Sequence, residues 1–114
     1  MERPPAVEVV RVMYAYSPFR YPGGKARVAN FVKLLCIRNQ LVGGHYAEPY
    51  AGGASVALAL LFAEIASVVH INDVDPGIMA FWRAALHETD QLCEAIESVS
   101  LTVEEWRQQL DLHR

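Results

Sequence analysis

The stretch from Glu48 to Val56 constrains the fold most, because it reads as a strand, a tight turn and a helix in succession. The apolar run His45-Tyr46-Ala47 precedes it, and a second apolar run extends from Val56 to Ala63. Gly52 and Gly53 form the turn, where the lack of a Cβ lets backbone approach a ligand. The first N–H groups of a helix have no intrahelical acceptor and point outward there. The pattern is typical of the nucleotide-cofactor corner of an α/β sheet, although a glycine turn between two core elements gives the same pattern.

An acidic residue follows the turn at the distance that a nucleotide-binding fold uses. The β-branched run from Ser67 to Ile71 predicts a buried parallel strand, and it ends in Asn72-Asp73-Val74-Asp75-Pro76. Asp73 lies about 20 residues after the turn, where such folds place a carboxylate that binds ribose hydroxyls. Asp75 before Pro76 is the pattern of an N-cap followed by proline at the first helical position. Asp73 is therefore the ligand candidate, with a loop or capping role as its alternative.

The rest of the chain reads as four helices and an N-terminal arm. Residues 1–16 are the arm, and residues 17–114 are one domain. Apolar spacing predicts a helix from about Lys25 to Ile37 and another from Pro76 to about His87. A helix from roughly Gln91 to Val99 follows, capped by Thr89 or Asp90, and Thr102-Val103-Glu104-Glu105 is a capping box that starts the last one. The side chains expected to face the core are Val28, Phe31, Val32, Leu35, Ile78, Phe81, Trp82, Leu86, Leu92, Cys93, Ile96, Val99, Trp106 and Leu110.

Composition indicates a small globular domain in a reducing compartment. The chain has 114 residues, 53% of them hydrophobic, and a mean hydropathy of +0.13. No apolar run reaches the roughly 18 residues of a membrane span, and the N-terminus lacks the apolar core of a signal peptide. Cys36 and Cys93 both occupy apolar helical positions and are expected to be buried free thiols. A cytoplasmic location without membrane contact follows as the expectation.

Charge is spread unevenly along the chain. Residues 1–45 carry seven of the ten Lys and Arg residues but only two of the 13 Asp and Glu residues. Such a basic front half is suited to a polyanion, although ordinary surface charge explains it equally simply. His45, His70, His87 and His113 lack ligand spacing, so no metal site is expected.

Two phosphate-binding motifs are excluded. A P-loop ending at Gly23-Gly24-Lys25 needs a glycine at position 19 and a hydroxyl at 26, where the chain has Phe19 and Ala26. The turn at Gly52-Gly53 also fails the dinucleotide pattern, because alanines stand at 54 and 57. A cofactor without a pyrophosphate remains open.

Three motifs together resemble the opening motifs of the Dam-like (D12 class) adenine-N6 DNA methyltransferases. They are Arg20-Tyr21-Pro22-Gly23-Gly24-Lys25, Glu48-Pro49-Tyr50-Ala51-Gly52-Gly53-Ala54-Ser55-Val56 and Asn72-Asp73-Val74-Asp75, in the family's order. The resemblance covers about residues 17 to 112. It implies a partial Rossmann-like S-adenosylmethionine-dependent methyltransferase fold, with parallel strands, flanking helices and the C-terminal half absent. It also implies methyl transfer to adenine N6 in double-stranded DNA.

The resemblance assigns roles to individual residues. Tyr21 stands where the family has an aromatic near the cofactor's adenine, and Lys25 matches the lysine of that loop. Gly52 and Gly53 match the turn beneath the methionine part, and Asp73 matches the ribose-binding acid. The family often has glycine where this chain has Ala54, and a methyl group there narrows the pocket. The implied cofactor-binding set is Tyr21, Gly23, Gly24, Lys25, Glu48, Pro49, Tyr50, Gly52, Gly53, Ser55 and Asp73.

The family's catalytic motif, Asp/Asn-Pro-Pro-Tyr/Phe, does not occur, since the only Pro-Pro pair is Pro4-Pro5 before Ala6. No catalytic residue is therefore assigned, and the expectation is the cofactor-binding N-terminal part of an enzyme, inactive alone. A complementary chain carrying the catalytic motif is a possible partner. The alternatives are a non-catalytic binding subunit and a degenerate remnant without activity. An unpaired sheet edge would leave the chain marginally stable or prone to self-association.

Overall fold

The computed structural model describes residues 17–18 and 28–113, which form a small α/β structure. The elements, in chain order, are α1 (Ala29–Arg38), β1 (Gly44–Glu48), α2 (Ser55–Phe62), β2 (Ala66–Ile71), α3 (Pro76–His87), α4 (Thr89–Ser98) and α5 (Val103–His113). The expected arm at 1–16 and the expected site residues Tyr21, Gly23, Gly24 and Lys25 lie outside the described residues. Within the described part, no helix is long and apolar enough to cross a bilayer.

The two strands pair in parallel, as the sequence predicts, and α2 connects them. Tyr46 is opposite Val69 and Glu48 is opposite Ile71, with one irregularity between Gly44 and His45. Parallel strands need a crossover connection, and α2 supplies it on one face of the sheet. The carboxyl ends of β1 and β2 therefore meet at the same edge of the structure.

The core lies between one face of the sheet and α2. Val56 and Leu60 are the largest fully buried side chains, and they form a cluster with Ile65 and Ala66. A second cluster joins Trp82 of α3 to three small residues, Ala51, Ala54 and Ala57. Helix α2 contributes to both clusters, which explains why it is apolar on nearly every side. Burial of one leucine such as Leu60 contributes about 1.5–3 kcal/mol to the free energy of folding.

The other face of the sheet is exposed. His45, Ala47, Val68 and His70 all face away from α2, and Nδ1 of His45 lies 3.1 Å from Nε2 of His70. Strands of parallel sheets are usually covered on both faces. The described residues therefore cover only half of this sheet.

The expected buried face of α1 is wrong for most of its residues. Val32 packs against the core cluster, as do Ala29 and Cys36. Phe31 is 62% exposed, and no residue of α1 is buried. Of the four residues expected to be buried, only Val32 lies on the side of α1 that packs against the core.

The inward faces expected for the last two helices are also wrong at most of their positions. Cys93 is an exposed free thiol rather than a buried one, while Cys36 is half-buried. Trp106 is 62% exposed, and Ile96 and Val99 are exposed as well, whereas Leu92 and Leu110 are half-buried; Leu86 on α3 is also exposed. The reason is positional, because α4 packs on α3 and, among the described elements, neither α4 nor α5 packs on a strand.

Two of the predicted helix caps are confirmed and one is wrong. The bounds of α3 and its Asp75 cap are confirmed, and the Thr102 hydroxyl accepts the expected bond from the N–H of Glu105 at 3.1 Å. The expected cap of α4 by Thr89 or Asp90 is wrong. The helix begins at Thr89 after Glu88, which makes no side-chain cap. The Thr89 hydroxyl donates instead to the carbonyl of Ala85 at 2.7 Å.

Candidate functional site

The turn between β1 and α2 has two residues in the left-handed region. Gly52 has φ +52°, which glycine adopts without steric cost. Ala54, immediately before α2, has φ 54° and ψ 34°, so the chain accepts an unfavourable conformation at that alanine. The N–H of Ala54 donates to the carbonyl of Ala51 at 2.7 Å and closes the turn. Position 54, where the resembled family often has glycine, is thus a position at which glycine would relieve backbone strain.

Backbone hydrogen bonds hold the turn against the end of β2. The N–H of Asn72 donates to the carbonyl of Glu48 at 3.0 Å, and the N–H of Ala51 donates to the carbonyl of Asn72 at 2.8 Å. The parallel ladder therefore continues past both strands into the turn. This extension brings Asp73 beside Gly52.

Asp73 braces the turn with its side chain. Its Oδ2 accepts a hydrogen bond from the N–H of Gly52 at 2.9 Å, and its Oδ1 accepts one from the N–H of Asp75 at 2.9 Å. A carboxylate offers about four acceptor positions, and these backbone groups occupy two of them. The loop role that the sequence left as an alternative is therefore present, and it places a partly buried carboxylate at the glycine turn.

Asp75 has a different task, as its sequence context predicts. Its Oδ1 accepts a hydrogen bond from the N–H of Gly77 at 2.8 Å, and Pro76 occupies the first position of α3. The cap satisfies a donor that the helix itself leaves without an acceptor. It fixes the start of α3 at Pro76, three residues after Asp73.

Trp82 of α3 forms a hydrogen bond with the turn. This bond was not predicted from the sequence. The indole Nε1–H of Trp82 donates to the carbonyl of Gly52 at 2.8 Å, and the side chain is only 7% exposed. Its ring meets Phe81 edge-on, with 5.2 Å between the ring centroids. Helical spacing predicted packing alone. The available signal was chemical, because a buried tryptophan N–H needs an acceptor.

The remaining predicted residues surround the same turn. Glu48 ends β1 and is 4% exposed, and the hydroxyl of Tyr46 donates to its Oε1 at 3.5 Å. Burial, followed by the charge of Glu48, raises the pKa of Tyr46 to about 12. Tyr50 is 71% exposed. The predicted site residues that the structure describes all lie near the carboxyl ends of β1 and β2. They are Glu48, Pro49, Tyr50, Gly52, Gly53, Ser55 and Asp73.

A cavity of about 530 Å³ lies at the opposite end of the strands. Cys36, Leu41, Leu60 and Ile65 are among its lining residues, and none of the predicted site residues line it. Among the described residues, no three His, Cys, Asp or Glu side chains are grouped to hold a metal ion. The turn remains the candidate site.

Comparison with known protein families gives one match. The family model for D12 class N6 adenine-specific DNA methyltransferases matches residues 21–111. No curated protein and no solved structure matches the chain. The matched range contains the glycine turn, Asp73 and Trp82.

Proposed function

The chain belongs to the D12 class of N6 adenine-specific DNA methyltransferases, and on this premise we propose that its glycine turn binds S-adenosylmethionine. The sheet edge is then the cofactor corner of a Rossmann-like methyltransferase fold. The enzyme to which this corner contributes transfers a methyl group to adenine N6 in double-stranded DNA. The observation that carries the proposal is the 2.9 Å bond from the Gly52 N–H to Asp73, which joins turn and carboxylate.

The residues at the turn suit the chemistry of this cofactor. Gly52 and Gly53 present backbone without Cβ atoms, which allows close approach. The N-terminus of α2, beginning at Ser55, directs N–H groups and a positive dipole end toward the same place. The carboxylate of Asp73 is an acceptor for the two hydroxyls of a ribose.

The other predicted residues complete the proposed pocket. Glu48, Pro49 and Tyr50 lead from β1 into the turn. Tyr21, Gly23, Gly24 and Lys25 come from the earlier motif, with Tyr21 offering a π face for adenine and Lys25 a cation. When bound, S-adenosylmethionine supplies an electrophilic methyl group on a sulfonium centre. The part of this chain is to hold that group in one orientation, which lowers the entropic barrier to transfer.

The family's Asp/Asn-Pro-Pro-Tyr/Phe motif does not occur in these 114 residues. Target adenine must leave the base stack before its amino group can react, and the enzyme must hold the flipped base. We therefore assign cofactor binding to this chain and base binding to polypeptide beyond these residues, in the same or a second chain. Two alternatives to part of an active enzyme also agree with the missing motif. The chain is then either a non-catalytic binding subunit or an inactive remnant.

Calorimetric titration of S-adenosylmethionine into the purified chain tests the proposal. Asp73→Ala is expected to weaken binding by about 1–3 kcal/mol, the cost of losing a charged hydrogen-bond partner. Asp73→Asn keeps one acceptor oxygen and is expected to lie between Ala and wild type. Asp90→Ala, an exposed carboxylate on α4, serves as the matched control and should bind like wild type.

Two results would contradict the assignment. A folded chain that fails to bind the cofactor would refute the proposed site and favour the remnant. Methylation of duplex DNA by the chain alone would show instead that base binding lies within these 114 residues.

A further inference from the structure

We propose that Trp82 is a positioning residue for the cofactor turn: its indole N–H fixes the Gly52 carbonyl and so sets the peptide groups that face the cofactor. The inference rests on the proposed function, because it concerns the same turn. It goes beyond it by giving α3 a part in cofactor affinity. The packing role expected from sequence does not require this hydrogen bond.

Gly52 is held from both sides by side chains of other segments. Its N–H donates to Oδ2 of Asp73 at 2.9 Å, and its carbonyl accepts from Nε1 of Trp82 at 2.8 Å. These two groups belong to the two peptide planes that flank the Gly52 Cα. A glycine at φ +52° has many alternative conformations. Two side-chain bonds, one on each plane, select a single one.

The surroundings of Trp82 strengthen its bond. The indole is 7% exposed and packs in one cluster with Ala51, Ala54 and Ala57, all of which are buried. Water has little access, so the bond is electrostatically stronger than it would be at the surface. The three alanines leave room for the large ring directly beneath the turn. Losing the donor would leave the Gly52 carbonyl without this partner in a buried setting, which is costly.

The bonds form a closed circuit through α3. Asp73 accepts from Gly52 and from the N–H of Asp75, and Asp75 caps α3 through Gly77. Trp82, farther along α3, returns to Gly52. The proposed ribose carboxylate and the glycine turn are thus positioned by one rigid helix. A preorganised turn avoids an ordering cost at the moment of binding.

A single-atom change separates positioning from packing. Benzothienylalanine at position 82 replaces the indole N–H by sulfur and keeps the shape of the ring. Trp106→Phe provides the background, because Trp106 is the other tryptophan and is 62% exposed. In that background we expect the sulfur isostere to weaken S-adenosylmethionine binding about five- to tenfold, the effect of one lost hydrogen bond. 7-Azatryptophan at position 82 keeps the N–H and should restore affinity.

Titrations are run at a temperature where each variant is fully folded, so that a loss of global stability does not alter the measured Kd. Amide hydrogen exchange at Gly52 provides a second readout without cofactor, and the sulfur isostere should accelerate it. Trp82→Phe, which also removes the donor, should show the same two changes. The intrinsic fluorescence of Trp82 should respond to cofactor in the Trp106→Phe background.

The outcomes distinguish this inference from the proposed function. Cofactor binding by the wild type together with unchanged affinity in the sulfur isostere would overturn the positioning role and leave the proposed function standing. Absence of cofactor binding in the folded wild type would overturn both. Weakened binding that 7-azatryptophan restores would establish it.

Discussion

The carboxylate of Asp73 and the N–H of Gly52 lie 2.9 Å apart, although 21 residues separate them in the chain. The bond ties the loop after β2 to the turn after β1. It also means that the proposed ribose acceptor is part of the scaffold of the site. Substitutions of Asp73 are therefore expected to change the free energy of unfolding and the affinity for the proposed ligand together, and both must be measured.

Asp73→Ala should lower the free energy of unfolding by about 1–3 kcal/mol, since the N–H groups of Gly52 and Asp75 lose their acceptor. Urea unfolding followed by circular dichroism measures the change. Asp73→Asn should recover part of the loss through its remaining carbonyl oxygen. Equal stability of wild type and Asp73→Ala would show that the brace contributes nothing.

Asp75→Ala should cost about 1 kcal/mol of stability, because α3 would lose its N-cap. Asp75→Ser retains a capping oxygen and should remain close to wild type. The same urea titration compares the two variants. If alanine and serine destabilise the chain equally, the side-chain bond to Gly77 is not the source of the effect.

Gly52→Ala should destabilise the chain by about 1–2 kcal/mol, because its φ of +52° is unfavourable for a residue with a Cβ. Gly43→Ala is the matched control, since Gly43 has φ +87° and no atom within 4 Å of an added Cβ. Both variants carry the backbone cost, but only Gly52→Ala should weaken S-adenosylmethionine binding. Equal cofactor affinity of the two variants would remove the turn from the proposed site.

Tyr46 should make stability fall at alkaline pH. Its ordinary pKa is 10.0, and burial followed by the charge of Glu48 raises its pKa in the folded chain to about 12. Above pH 10 the unfolded chain releases this proton before the folded chain does. The contribution is therefore complete below pH 10 and is lost as pH rises toward about 12.

Urea unfolding at pH 9 and pH 11 compares wild type with Tyr46→Phe. The wild type should lose more stability over that interval, because Phe cannot ionise. Tyr50→Phe changes an exposed tyrosine and should behave like wild type. A pH response shared by all three chains would assign the effect to other groups.

Exposed apolar side chains on α1 should promote self-association. Phe31, Leu35 and Ile37 are all more than two-fifths exposed, and α1 has no buried residue. Sedimentation velocity should show a coefficient that rises with protein concentration. Phe31→Glu should reduce the rise, whereas Lys33→Glu, a charge change on the same helix, should leave it. A concentration-independent monomer would contradict this expectation.

Local signals predicted the elements that form the site. The bounds of α3, the Asp75 cap and the parallel order of two strands all follow from short patterns such as Asp-Pro and a β-branched run. The glycine turn was also identified, because Gly52 needs no long-range information to adopt a positive φ. These features depend on a few neighbouring residues, so one sequence suffices.

Long-range features could not be read in the same way. Apolar spacing shows which side of α1, α4 or α5 is hydrophobic but not whether another element covers it. Phe31 and Trp106 are therefore exposed despite their core-like spacing. The bond from Trp82 to Gly52 spans 30 residues and depends on how α3 crosses the turn. The predicted roles of Tyr21, Gly23, Gly24 and Lys25 stay predictions.

The circuit of bonds around Gly52 joins only residues between Glu48 and Trp82, although its two side-chain bonds to Gly52 span 21 and 30 residues. The entropic cost of closing a loop grows only slowly with its length, so both bonds can form before the rest of the chain is in place. The turn, β2 and the start of α3 can therefore assemble as soon as Trp82 leaves the ribosome. We expect this corner to be the folding nucleus on which later polypeptide condenses.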